Sequence, residues 1–436
     1  MSTSGGRNRR VEGARTPRLS PPDPPSYNAP MALSPEVCIR GGGIVGRTLA
    51  LLLARERVRV ALVAPAPSAG RRAHDDVRAY ALNAASKATL ESLRAWPEAA
   101  HATPVREMRV HGDDGGQVRF EAARQGVEAL AWIVDVPALE RRLTDAVRFQ
   151  PQVEVVQAPV PAALTVVCEG KASATREALG VGHEVTPYPQ HAIAARLVAQ
   201  RPHGGIARQW FGPRGEVLAL LPLGATDAVA PGALGDAGSD GVVDPLATGA
   251  SHALALVWSV DQFRAPALLA QGADEFAAAV REASQDALGA LTLASERAAW
   301  PLQRAVAERW TGRFAADADD PAAGKAWALA GDAAHTVHPL AGQGLNLGLA
   351  DVAMLARVIR ERDYWRGVGD ARLLRRYERA RRTDVLSMSL ATDGLQQLFS
   401  HGAEPLPALR NWGMRGFDRT RLVKQWVARQ AMGLGA

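Results

Sequence analysis

Cysteine is scarce in this chain: Cys38 and Cys168 are the only two among 436 residues. Each sits in an apolar run that reads as a buried strand, which speaks for free thiols in a reducing compartment and against a disulfide framework. No apolar run approaches bilayer-spanning length; the longest, LALLLA at Leu49 to Ala54, belongs to an amphipathic helix pattern. A block of one charge is missing too. The net charge is +6 and the pI near 9.7, yet arginines are interspersed with aspartates and glutamates. Aromatics make up 5% and none interleaves with a basic stripe, which argues against a nucleic-acid partner and leaves only weak attraction to anionic lipid.

What remains is 47% hydrophobic and 22% charged, the balance of a soluble globular protein. The length predicts two interlocked domains, with room to bury a large cofactor. Residues 1–34 are rich in Ser, Pro, Gly and Arg and are expected to be a disordered tail. The proline cluster Pro21 to Pro25 spoils the amphipathic helix of a transit peptide, so a translation start at Met31 is the preferred reading.

EVCIRGGGIVGRTLALLLARERVRVALVAP carries the first motif. Val37 to Ile39 form a short strand, Gly41, Gly43 and Gly46 satisfy GxGxxG, and Val45, Leu49, Leu52 and Leu53 make a helical apolar face before a second strand at Val58 to Val63. The first glycine permits the tight turn, the second lets backbone approach a pyrophosphate, and the third lets helix pack on sheet. The helix N-terminus then offers amide donors, which include Ile44 and Val45, and positive dipole. An acid normally closes the second strand to bind the adenosine ribose. Here Ala64 and Pro65 stand there, and Asp75 and Asp76 are the next carboxylates downstream. Arg40, just before the glycines, has no role legible in the sequence.

Further on, MRVHGDDGGQVRFE reads as a hairpin from Met108 to Glu121, VPALERRLTDAV as a helix, and LTVVCEG as a buried strand. After Tyr188, HAIAARLVA, GGIARQWFG, EVLALLPL and HALALVWSV predict an antiparallel sheet inserted between nucleotide-binding elements. Trp210, Phe211 and Trp258 fall in those strands, as core or as the wall of an apolar pocket; Leu220 and Pro222 are further pocket candidates. The segment Gly224 to Gly249 has no periodicity and reads as a mobile surface loop or a substrate lid.

The block GDAAHTVHPLAGQGLNLGLAD at Gly331 to Asp351 follows another buried strand and leads into a helix. His335 and His338 suggest a metal, but a metal site needs further ligands and an orienting shell, and none is placed by the sequence. They read instead as flanking a turn whose working parts are Asp332, Pro339 and the amides of Gly342, Gln343, Gly344, Leu345 and Asn346. A carboxylate at a strand end accepts sugar hydroxyls. Amides at a helix N-terminus face partial negative charge, which suits the pyrimidine edge of a reduced flavin.

With these motifs, and with DVRAYALNAAS containing Arg78, EGKASATR, YPQHA at Tyr188 to Ala192 and FGPRGEVLALLPL, the chain resembles the class A FAD-dependent aromatic monooxygenases. Within them it is similar to the ubiquinone-biosynthesis hydroxylases, from about Pro35 to the C-terminus. The resemblance implies that Gly41, Gly43 and Gly46 hold the pyrophosphate, Arg78 contacts the cofactor near the flavin, Asp332 binds the ribityl chain, and Gly342 to Asn346 face the isoalloxazine. It implies FAD as cofactor, NAD(P)H as reductant and O2 as co-substrate, hydroxylating a phenolic, polyprenylated ring through a flavin hydroperoxide. No acid or base is assigned; His338 either lines the cavity or is a loop histidine bonded to backbone. Ala64, Val136 where the quinone hydroxylases carry asparagine, and Glu169 for aspartate depart from the family pattern.

The fold expected is α/β. A Rossmann-like FAD-binding domain with a parallel sheet (residues 35–103, 128–185 and 300–365) is interleaved with a substrate domain on an antiparallel or mixed sheet (104–127 and 186–299). A C-terminal helical region, 366–436, follows; its basic stretches with Trp412, Phe417 and Trp426 pack on the FAD domain or touch a membrane surface or a biosynthetic partner. The expected location is cytoplasmic or peripheral on the inner face of the membrane. Rival readings are a class A monooxygenase for another phenol and a catalytically weak accessory protein of a biosynthetic complex.

Overall fold

In the computed structural model, β-branched and leucine-rich runs too apolar to face water on either side form the centre of a six-stranded sheet, whose two edge strands are partly exposed. Its order is Thr311–Arg313, Ala326–Leu329, Leu164–Val167, Val37–Arg40, Val60–Val63 and Val153–Val156. All pairs are parallel except the first, which is antiparallel. The structure describes residues 34–64, 76–112, 116–212, 215–224, 251–315, 322–336 and 343–400, the side chains of 343 and 388–400 excepted. The tail 1–33, Asp75, the Gly224 to Gly249 loop beyond Gly224, His338, Pro339, Gly342 and everything from residue 401 lie outside the described residues.

The helix Ile44–Arg55 leaves the first strand and packs on the sheet and on the helices Val136–Arg148 and Gln343–Arg360, burying Leu49, Leu51 and Leu53, while Val45 and Leu52 stay half-buried. The buried surface is therefore wider than the single apolar face read from the sequence, because helices as well as the sheet cover it.

A nine-stranded sheet holds the hairpin Glu107–His111 and Gln117–Glu121 and the long strands His183–Ala199, Ile206–Phe211, Val217–Pro222 and Ala253–Asp261. It is mixed: Ile206–Phe211 runs parallel to Glu107–His111, and its other pairs are antiparallel. It also takes in Ala298–Ala307 and His335–Thr336, so the strand Ala298–Ala307 crosses the expected boundary at residue 300.

Alternation gives this sheet two unlike faces. On one, Trp210, Leu218, Leu220, Leu254, Leu256 and Trp258 pack against the helices Ala265–Ala270 and Ala273–Ala283. On the other, Ala207, Leu223, Ala253 and Ala255 meet a three-stranded sheet, Ala79–Leu82, Ala131–Asp135 and Ala102–Val105. Arg196 fastens that second contact. Its Nη2 donates to Asp135 Oδ1 at 2.5 Å and to the carbonyl of Arg78, and its Nε to the carbonyl of Val77. Both side chains are buried, so removing one partner would strand a charge, at a cost of about 3–5 kcal/mol.

The helix Ala371–Ser400 lies against the six-stranded sheet: Tyr377 Oη donates to the carbonyl of Leu329, and Glu378 accepts from Trp310 N and Thr311 Oγ1. No helix among the described residues is long and apolar enough to cross a membrane.

Candidate functional site

The glycine loop divides its tasks as backbone sterics require. Gly41 has φ +119°, and a Cβ there would come 2.3 Å from the carbonyl oxygen of Cys168; one on Gly46 would come 1.9 Å from that of Gly41. Gly43, by contrast, faces open space: a Cβ there meets nothing within 4 Å. Two glycines are demanded by the fold, and the third leaves room for a ligand above a helix start that no side chain caps. A pyrophosphate fits this cradle. Ile44 is buried in the core and Val45 packs on Gly331 and Gly348, so any contact they make to a ligand comes from their amides.

Arg40 acquires a role that the sequence did not show. Its Nε lies 3.1 Å from Glu169 Oε1, across the ends of two neighbouring parallel strands. Glu169 also accepts from Ser173 Oγ, Thr175 N and Thr175 Oγ1. These bonds hold its pKa below the usual carboxylate value despite burial, which acts the other way and is the largest single influence. One departure from the family pattern, Glu169, is thus partnered by Arg40. At a second, Ala64, the side chain nestles against Gly42, where an added Cβ would lie 2.6 Å away. Val136 is fully buried in the core at the start of the helix Val136–Arg148.

Asp332 stands in the turn Gly331–Ala333 at the end of the strand Ala326–Leu329. The residue keeps an exposed surface. Desolvation raises its pKa, against the opposing influence of His335, Lys171 and Arg78. Arg78 itself is held by Asp76, with Nε at 2.8 Å from Oδ1 and Nη2 at 2.5 Å from Oδ2. Asp76 is therefore engaged with Arg78. Tyr80, unmarked in the sequence, belongs to this neighbourhood: burial pushes its hydroxyl pKa up, and Arg78 and Asp332 both act on it.

Asn346 joins the second motif to the first half of the chain. Its Nδ2 donates to the carbonyl of Ala81 at 2.8 Å, while its Oδ1 accepts from Asn83 N and Ser86 Oγ. The side chain is spent on pinning the helix Gln343–Arg360 to the three-stranded sheet, leaving its backbone for a ligand. Gly344, in the first turn, also faces open space.

His335 is not a bystander to a turn. It is buried under Trp310, ring centroids 4.9 Å apart, with Nε2 2.6 Å from Asp351 Oδ2. The pocket residues separate: Leu220 is core on the helix-covered face, Pro222 is a buried strand end beside Leu254, and Trp210 and Phe211 border a cavity on that same far side. Alternating aromatics show that a strand has two faces, but not which face a distant domain will cover.

An open glycine cradle on a parallel sheet, with a second loop bringing a carboxylate and a helix start to the same region, defines a dinucleotide-binding flavoprotein of the two-sheet type. The chain belongs to the family described as FAD binding domain (FAD_binding_3), whose model matches residues 34–388. It is 31% identical to ubiquinone hydroxylase UbiL of Rhodospirillum rubrum, over 95% of this chain and 94% of that protein. It is 28% identical to 3-demethoxyubiquinol 3-hydroxylase of Escherichia coli, over 92% and 98%. Among solved structures, p-nitrophenol 4-monooxygenase PnpA from Pseudomonas putida superposes with a TM-score of 0.66 at 16% identity, covering 92% of this chain and 98% of that one. Klebsiella pneumoniae HpxO, complexed with FAD and uric acid, superposes at 0.61 and 17%, covering 91% and 96%. These two likenesses concern the fold.

Proposed function

We propose that this protein is an FAD-dependent, NAD(P)H-linked aromatic hydroxylase acting on a phenolic, polyprenylated ring in ubiquinone biosynthesis. The observation that carries the reading is the open space at Gly43 in a loop whose other glycines are sterically required. The near full-length similarity to two quinone hydroxylases gives it a substrate class.

Bound FAD supplies the activation of O2 by electrons from NAD(P)H; the chain supplies grip, orientation and charge. Gly41, Gly43 and Gly46, with the amides of Ile44 and Val45, hold the pyrophosphate. Asp332 takes ribityl hydroxyls. The first amides of the helix from Gln343, through Gly344, Leu345 and Asn346, would face the electron-rich edge of a bound flavin, with Arg78 as a further contact.

The working location is cytoplasmic or peripheral on the inner membrane face, with the C-terminal region touching lipid or a biosynthetic complex. Two experiments test the reading. Purified protein should be yellow or reconstitute with FAD; a colourless protein that takes up no FAD would overturn it. Deleting the gene should make an unhydroxylated or demethoxy quinone precursor accumulate, and an unchanged quinone profile would remove the quinone substrate while leaving the flavoprotein.

A further inference from the structure

The face of the nine-stranded sheet turned away from the glycine loop carries a cavity of about 380 Å³, within the range of small-molecule sites. Trp210, Phe211, Leu218 and Trp258 supply its apolar walls, and Ala279 and Ala283, one turn apart on the helix Ala273–Ala283, supply another. That helix packs on the sheet opposite the three-stranded sheet to which Asn346 is tied, so the nine-stranded sheet stands between this cavity and the proposed flavin loop.

Two polar groups in the lining have unmet hydrogen-bonding capacity. Glu216 is 4% exposed; its Oε2 is taken by Arg264, whose guanidinium also lies 5.0 Å over the ring of Trp258, but its Oε1 has no hydrogen-bond partner among the described residues. Trp210, 4% exposed, has an indole Nε1 in the same position. A buried carboxylate oxygen and a buried indole N–H left without partners are each costly, and a ligand that bonds them recovers that cost. Arg264 fixes the carboxylate from one side and stacks on the wall, which leaves Oε1 as the unpartnered acceptor among the described lining residues.

Charge narrows the ligand class. Among the described lining residues, Glu216 and Glu282 outweigh Arg264. His111, stacked on Trp210 with centroids 5.2 Å apart, is held towards its neutral form by burial, with Arg109 and Arg208 acting the same way. An aromatic carboxylate is repelled. A planar molecule that donates a hydrogen bond, and accepts one, is matched.

We propose that this cavity is a second, non-catalytic binding site for a small phenol or aryl amine, with Glu216 as acceptor, Trp210 as donor and the two indoles as walls. It does not depend on the reading of the flavin side. The test uses FAD-loaded protein and three probes: phenol, benzoate and 4-bromophenol. Calorimetric titration should show saturable phenol binding and none of benzoate. Ala279→Trp and Ala283→Trp, at half-buried helix positions, fill the cavity from the helix side and should each weaken that binding by about tenfold or more, with FAD affinity unchanged. Crystals soaked in 4-bromophenol should place bromine between Trp210 and the helix. Bromine only on the flavin side, phenol binding untouched by both tryptophan variants, benzoate binding as well as phenol, or binding at crystal concentration only would each overturn the proposal.

Discussion

Asp351 Oδ2 lies 2.6 Å from His335 Nε2, and both side chains are sealed from solvent. The same oxygen accepts from Gly331 N at 2.9 Å, and Oδ1 accepts from Arg381 Nε at 2.8 Å. One carboxylate therefore ties together a strand end, the turn that carries Asp332 and two helices.

Asp351→Asn should cost about 3–5 kcal/mol of unfolding free energy at neutral pH, because it removes the buried carboxylate partner of His335 and of Arg381, whose remaining partner Asp384 is largely exposed. His335 and Arg381 hold the folded pKa of Asp351 below its ordinary value, against desolvation, which is the largest influence. A depressed carboxylate stabilises the fold above its unfolded pKa, about 3.9, and loses that contribution as pH falls through the folded value. Urea unfolding from pH 7 down to 3 should show the wild type losing ground to the variant in the acid range. A gap independent of pH would contradict the assignment.

Asp332 has the opposite sign. Its raised pKa means that the ionised form opposes folding, by an amount that grows as pH rises through the unfolded pKa and is complete above the folded one. Asp332→Asn should therefore raise the thermal midpoint of FAD-free protein at pH 7 while weakening FAD binding about tenfold or more. Flavin fluorescence titration and a melting curve read the two effects separately. A variant that is neither more stable nor weaker in binding would remove Asp332 from the site.

The glycines allow a sharper separation. Gly43 has φ −78°, which alanine adopts freely, so Gly43→Ala should fold like wild type and lose FAD. Gly46→Ala, with a Cβ driven against the carbonyl of Gly41, should lose stability first. Circular-dichroism melts with FAD titration check the pair; equal loss of stability in both would contradict the division of roles.

Ala64→Glu replaces the acid missing from the end of the second strand. A new charge-assisted hydrogen bond to ribose would add about 1.5–3 kcal/mol to FAD binding. Affinity for FAD should rise and that for riboflavin, which lacks the adenosine, should not. Equal affinity for FAD in both proteins would show that another group already holds the ribose.

How much of this was legible beforehand follows from the range of each interaction. The two sheets, the GxGxxG turn and the hairpin Glu107–Glu121 are written in local periodicity and turn residues, and they were read close to where they stand. The Arg40–Glu169 pair spans 129 positions and Asn346 to Ala81 spans 265, so neither has any local signature. A tandem such as His335 and Asp351, 16 positions apart, was readable only in hindsight, since helix and loop geometry had to bring them together.

The sequence by itself determined that this is a glycine-loop flavoprotein with an apolar parallel sheet and a second, strand-rich half, because those features rest on backbone sterics and hydrophobic period. Only the tertiary structure decided which face of the large sheet meets the nucleotide side, and so why Trp210 borders a cavity remote from it. Residues alternate sides along a strand whatever packs against them, and the choice of side is made by partners brought in from elsewhere in the chain.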